Sequence, residues 1–221
     1  MARMKFICDS ERCIECNGCV TACKNEHEVP WGVNRRRVVT LNDGVPGEKS
    51  ISVACMHCSD APCMAVCPTN TFYRTEEGVV LHDKDTCIGC GYCSYACPFG
   101  APQFPAQGTF GVRGKMDKCT FCAGGPEPNG SEAEFKKYGR NRLAEGKLPV
   151  CAEMCSTKAL IGGDGDVLAE IYRTRVTNRG KGSEVWGWAT AYGPAPAGAG
   201  ARPAPGMPAP AAPAAPSGGK S

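Results

Sequence analysis

No stretch of this 221-residue chain approaches the roughly 20 apolar residues that a membrane-spanning helix needs. The longest apolar runs, such as Gly78-Val79-Val80-Leu81, are strand-sized. The N-terminus, Met1-Ala2-Arg3-Met4-Lys5-Phe6, leads almost directly into Cys8 and Cys13, with no apolar h-region and no twin-arginine leader. The expectation is that nothing in the chain exports or anchors it, so any membrane link comes through a partner. Histidines number three, and no acid–base set or activated nucleophile stands out, so catalysis is not expected of this chain on its own.

Cysteine is what the chain has in quantity. Seventeen of them admit two readings, a disulfide framework or metal ligation. Disulfide-rich domains tend to be short, with cysteines scattered singly; here they fall into tight groups separated by cysteine-free stretches. Cys13, Cys16, Cys19 and Cys23 are spaced C-x2-C-x2-C-x3-C, and Cys87, Cys90, Cys93 and Cys97 repeat that spacing. Cys55, Cys58, Cys63 and Cys67 follow C-x2-C-x4-C-x3-C. Cys119, Cys122, Cys151 and Cys155 form C-x2-C, a long insertion, then C-x3-C. Cys8 is left over and reads most simply as a buried, non-ligating thiol, with a ligand-swap role as the alternative.

In C-x2-C-x2-C the loop folds around one corner of a 4Fe–4S cubane, three thiolates reaching three irons. The fourth cysteine is expected to start a helix that carries it away, and in two-cluster ferredoxins it ligates the other cluster. Proline follows in Cys67-Pro68 and Cys97-Pro98, and Gly18, Gly89 and Gly91 are placed to allow close backbone approach. Structural zinc also uses tetrahedral thiolates, but it needs two pairs and no crowded third cysteine, which the first and third groups have. The split fourth group is more compatible with zinc, and its cluster reading leans on the other three. Disulfides fit poorly, because neighbouring CxxC cysteines would all compete for partners. No group lacks a ligand, so the plain reading is four 4Fe–4S clusters. The formal charge of +3 counts the cysteines as neutral; four oxidised clusters at about −2 each would bring the loaded protein to roughly −5. A nucleic-acid role argued from the basic sequence therefore fails.

An internal repeat is visible. Asp9-Ser10-Glu11-Arg12-Cys13-Ile14-Glu15-Cys16 aligns with Asp83-Lys84-Asp85-Thr86-Cys87-Ile88-Gly89-Cys90, and Cys63-Met64-Ala65-Val66-Cys67-Pro68-Thr69 with Cys151-Ala152-Glu153-Met154-Cys155-Ser156-Thr157. The expected architecture is α+β: two interleaved bacterial-ferredoxin-like domains, each holding two clusters, one inserted within the other. Thr71–Arg74 and Gly78–Leu81 read as a β-hairpin about Thr75-Glu76-Glu77. A short helix is expected at Ala22–Glu28, and Val167–Tyr172 has helical periodicity. Residues 193–221 are almost entirely Pro, Ala and Gly and read as a disordered tail.

The sixteen-cysteine pattern resembles the four-cluster electron-transfer subunits of molybdopterin oxidoreductases. Within them Val53-Ala54-Cys55-Met56-His57-Cys58, Lys118–Pro126 and Gly139–Gly146 look most like the formate dehydrogenase beta subunit, as does the charged insertion Ser131–Lys137. The resemblance implies that Cys13, Cys16 and Cys19 share one cluster with Cys155, and that Cys119, Cys122 and Cys151 share the next with Cys23. It implies likewise that Cys55, Cys58 and Cys63 join Cys97, and that Cys87, Cys90 and Cys93 join Cys67. The first domain is then discontinuous, 1–50 and 115–192, with 51–114 inserted. The resemblance further implies a wire from a molybdenum- or tungsten-containing catalytic subunit to a membrane cytochrome b, a quinone or a soluble acceptor. It also implies a membrane-associated complex on the periplasmic face, exported on its partner's signal, with the cytoplasm as the alternative. The same wire could serve a reductase of a sulfur or nitrogen compound, or stand alone as a polyferredoxin.

His27, His57 and His82 are expected to be outer hydrogen-bonding groups or surface residues. Lys24, after Cys23, is either a cation near a cluster or a solvated lysine. Arg35-Arg36-Arg37 is expected to be a solvated run, with docking against an acidic partner as the sharper alternative. Trp186, Trp188 and Tyr192 read as core packing or a docking strip.

Overall fold

The computed structural model describes residues 3–107, 112–126 and 131–178. Trp186, Trp188, Tyr192 and the Pro/Ala/Gly-rich segment 193–221 lie outside the described residues.

The chain is a mixture of short helices and two-stranded antiparallel ladders. Strand β1 (Met4–Cys8) pairs with β8 (Leu160–Asp164), so the two ends of the described chain are clamped together. Helix α6 (Gly165–Thr177) follows and lays Leu168 and Ile171 on that ladder against Ile7 and Ile161. Asp164 caps it by accepting from the Asp166 and Val167 N–H groups. This is the helix the 3.6-residue periodicity predicted, extended at both ends.

Strands β2 (Arg36–Leu41) and β3 (Lys49–Ala54) form a hairpin rich in β-branched residues. Along β3 the buried side chains alternate as Ser50, Ser52 and Ala54, a face of small residues that leaves space beside it. Strands β4 (Phe72–Arg74) and β5 (Val80–His82) form the hairpin expected from the sequence. A fourth ladder joins β6 (Ala106–Gln107) and β7 (Val112–Arg113).

The short helices are α1 (Gly18–Glu26), α2 (Pro62–Ala65), α3 (Tyr92–Ala96) and α5 (Val150–Glu153); each contains the third cysteine of its group. Helix α4 (Glu132–Tyr138) lies in the insertion, capped by Ser131. The expectation that the fourth cysteine opens a helix is corrected here. Cys23 lies inside α1, Cys97 closes α3, and Cys67 and Cys155 follow α2 and α5. The helices start earlier because positive-φ residues such as Asn17 and Gly91 turn the chain into them before the third cysteine.

The buried apolar residues do not merge into one large core. They form small groups in which cysteines pack with a few aliphatic or aromatic side chains, as where Cys63 and Cys93 meet Ala61, Phe72, Val80 and Met116. A chain this size ordinarily buries a continuous core. Here the cysteine sets stand where that core would be.

Candidate metal centres

The four CxxC turns share one backbone feature. The residue before the second cysteine has positive φ in each: Glu15 (57°), His57 (45°), Gly89 (72°) and Phe121 (58°). A left-handed residue there curls the loop so that both sulfurs face inward. Only one of the four is glycine; Glu15 and Asn17 take in the first group the conformations that Gly89 and Gly91 take in the third. Gly18, by contrast, has ordinary φ, and a Cβ there would sit in ordinary contact 3.6 Å from the Cys16 sulfur, so the close approach expected of it is not required.

Three cavities are walled by three cysteines of one group and the fourth of another. Cys13, Cys16 and Cys19 face Cys155. Cys55, Cys58 and Cys63 face Cys97. Cys87, Cys90 and Cys93 face Cys67. The remaining four, Cys23, Cys119, Cys122 and Cys151, lie within one another's electrostatic reach. Successive sets adjoin: Cys19 packs with Cys151, Cys119 with Cys55, and Cys63 with Cys93. The sets therefore run in a row, from the one with Cys13 to the one with Cys87.

All seventeen cysteines are unpaired by disulfides. Burial, reinforced by neighbouring thiolates, pushes Cys23 and Cys93 up to about 12 and Cys63 and Cys151 to about 11. In the set of Cys23, Cys119, Cys122 and Cys151 burial raises all four thiols, and a cationic core would favour their deprotonation together. A single zinc ion would draw four sulfurs to within about 3.8 Å of each other, from a Zn–S bond of ~2.3 Å. Among the described residues no three His, Cys, Asp or Glu side chains gather closely enough to hold one metal ion. Four thiols around each of three cavities form a donor set that fits a cubane.

Backbone donors point at the sulfurs. Thr71 N–H donates to Cys67 (3.4 Å), Ala101 N–H to Cys97 (3.5 Å) and Leu160 N–H to Cys155 (3.4 Å), one turn beyond each fourth cysteine. Phe121 N–H donates to Cys119 and Met116 N–H to Cys87, both at 3.4 Å. Such bonds stabilise charge on sulfur and set the potential of a bound cluster.

The histidines are all buried, none at the surface. His27 Nε2 lies 3.1 Å from the Cys122 sulfur; burial and then Arg35 bring its pKa down to about 3, so the ring is neutral. His57 accepts from the Val80 N–H through Nδ1 (3.1 Å) and meets Phe121 edge-on. His82 stacks edge-on against Tyr138. Lys24 is half-buried. Cys8 is half-buried beside the cavity of Cys13, accepts from the Ser52 N–H (3.2 Å), and is pushed up to about 11 by burial.

Arg35-Arg36-Arg37 is not a solvated run. Arg35 grips Asp117 through Nε (2.5 Å) and Nη2 (3.0 Å), and Lys84 meets the same carboxylate at 2.6 Å. Arg36 is buried among cysteines, and Arg37 donates to the carbonyls of Gly100 and Phe99. Charge runs read as surface because isolated cations are costly to bury; here each finds an acceptor brought from far along the sequence.

A formate dehydrogenase iron–sulfur subunit from Wolinella succinogenes is 66% identical over 194 residues, spanning 86% of this chain and 97% of that protein. The chain thus belongs to the family of formate dehydrogenase iron–sulfur subunits. Residues 49–133 match the 4Fe-4S dicluster domain family, a span that reaches beyond the 51–114 insertion expected from the cysteine pattern. The thiosulfate reductase electron transfer subunit of Salmonella typhi is 38% identical over 170 residues, 75% of this chain and 77% of its own length. An anaerobic dimethyl sulfoxide reductase subunit of Escherichia coli is 35% identical over 174 residues, 74% of each protein. A formate dehydrogenase iron–sulfur subunit is an electron-transfer chain rather than a catalytic one. No helix among the described residues is long and apolar enough to cross a membrane.

Proposed function

We propose that this chain relays electrons, one at a time, through four 4Fe–4S clusters from the catalytic subunit of a formate dehydrogenase to an acceptor. That catalytic subunit carries a molybdenum or tungsten pterin cofactor, and the acceptor is a membrane cytochrome b or quinone on the periplasmic face. The observation that carries the reading is the 66% identity to a formate dehydrogenase iron–sulfur subunit over nearly that protein's whole length, against 38% or less for the sulfur-compound reductases above.

The proposed ligand sets are Cys13, Cys16, Cys19 and Cys155; Cys23, Cys119, Cys122 and Cys151; Cys55, Cys58, Cys63 and Cys97; and Cys67, Cys87, Cys90 and Cys93. They divide into two ferredoxin-like units, 1–50 with 115–192 and the inserted 51–114. A bound cubane supplies a one-electron store that changes little in geometry between its two states. The chain supplies thiolates, backbone N–H donors to them, a neutral His27 at Cys122, and a protein wall that buries half of the sixteen cysteines. Because each set borrows a cysteine from its paired group, two short helices link the paired sets, α1 and α5 in one unit and α2 and α3 in the other.

Affinity purification of the chain from its native host under anaerobic conditions tests the reading. A co-purifying pterin-containing subunit and formate-dependent reduction of the iron–sulfur absorption are expected. Recovery of the chain without such a subunit, or no reduction by formate together with reoxidation of the chemically reduced clusters by thiosulfate or a sulfoxide, contradicts it.

A further inference from the structure

Arg36 is the first residue of β2 and only 2% exposed. Its guanidinium lies 4.3 Å from the centre of the Phe6 ring. Nη1 donates to the Ser52 hydroxyl at 3.0 Å, and that hydroxyl lies 3.2 Å from the Cys19 sulfur. With its oxygen accepting from Arg36, the Ser52 proton is free to point at Cys19. Nε and Nη2 meet no oxygen or nitrogen acceptor, and the guanidinium lies within hydrogen-bonding reach of the Cys151 thiol. Among the described residues Arg36 forms no ion pair with a carboxylate; the charges facing it are Cys151, Cys119, Cys19 and Cys23. Arg35 and Lys118, also buried, differ in this respect. Arg35 is neutralised by Asp117, and Lys118 donates to the carbonyls of Val80 and Cys119. A buried guanidinium with unmet donors is costly, and the acceptors within reach belong to two cysteine sets.

We propose that Arg36 is a shared cation that tunes two neighbouring clusters, the one on Cys13, Cys16, Cys19 and Cys155 and the one on Cys23, Cys119, Cys122 and Cys151. It donates directly toward the second and through Ser52 toward the first. Reduction adds one electron to a cluster and no proton to Arg36, which is charged in both states. A fixed positive charge favours the more negative, reduced form, so both potentials are raised relative to a neutral residue. The inference rests on the four-cluster reading above.

The test is an EPR-monitored redox titration of the full chain, with iron counted first, for Arg36→Met, Arg36→Lys and Ser52→Ala. Arg36→Met is expected to shift the reduced-to-oxidised ratio of two clusters at least tenfold toward oxidised, about 59 mV more negative for a one-electron couple, leaving the other two in place. Arg36→Lys keeps the charge and restores at least half of that shift. Ser52→Ala moves one cluster only. A methionine variant with full iron and less than a twofold change in every cluster overturns the tuning role. If that variant loses iron, Ser52→Ala decides: no cluster moving, or all four moving, overturns the proposal. Wild-type protein that binds too little iron for four clusters refutes the underlying reading and not the role of Arg36.

Discussion

Asp117→Ala is the substitution whose cost can be worked out most fully. The Asp117 side chain is 1% exposed and holds both Arg35, at 2%, and Lys84, at 14%. Arg35 also donates to the Tyr138 carbonyl (2.9 Å), and Lys84 to the Lys137 carbonyl (2.5 Å). One carboxylate thus ties the loop before β2, the loop before Cys87, the stretch before Cys119 and helix α4. Removing it leaves a buried guanidinium without its counter-charge, a loss of about 3–5 kcal/mol. An independent figure comes from the carboxyl itself. Burial would raise it, but Arg35 and Lys84 outweigh burial and bring it from 3.8 to about 2, worth about 2 kcal/mol at neutral pH. A depressed carboxyl contributes stability that is whole above the unfolded pKa and is lost as pH falls through it toward the folded one. The difference between wild type and Asp117→Asn is therefore expected to hold down to about pH 4 and to close toward pH 2. Stopped-flow loss of the iron–sulfur absorption in guanidinium, at a series of pH values, measures both. Asp117→Ala should unfold on the order of 100-fold to several thousand-fold faster at pH 7 where the whole loss falls on the unfolding rate. A rate within twofold of wild type at pH 7 would refute the reasoning.

Three further outcomes are expected. Gly139→Ala places a Cβ 2.0 Å from His27 Nδ1 at a φ of +85°, so it should displace His27 from Cys122 and alter one cluster's EPR spectrum; four unaltered spectra would contradict the placement of His27. Phe121→Ala empties a fully buried site packed on Phe6 (ring centres 4.3 Å apart) and His57 and should cost about 3–5 kcal/mol in unfolding; a loss under about 1 kcal/mol would contradict it. Cys97→Ala should remove or convert the cluster on Cys55, Cys58 and Cys63 and spare that on Cys87, Cys90 and Cys93; the reverse result would overturn the interleaved ligation.

Local patterns in the sequence carried well where the determinants are local. The hairpin about Thr75-Glu76-Glu77 and helix α6 depend on alternation and periodicity within a dozen residues; the hairpin appears close to its expected bounds, and the helix forms where expected but runs on to Thr177. The helix expected at Ala22–Glu28 begins at Gly18 because Asn17 adopts positive φ, which residue type alone does not announce. The arginine run misled for a different reason. Its burial depends on Asp117, Ser52 and the carbonyls of Phe99 and Gly100, acceptors that only the folded protein brings near. The histidines were hidden in the same way: His27 reaches Cys122 across 95 positions of sequence. Asp117 carried one usable signal, a lone acid two residues before a CxxC pair, but nothing nearby names its partners.

Iron and acid-labile sulfide counted per chain, in anaerobically purified protein that still shows its visible absorption, test the central claim most directly. The account predicts about sixteen of each, four cubanes' worth. A count near eight, or stoichiometric zinc in place of iron, would contradict it.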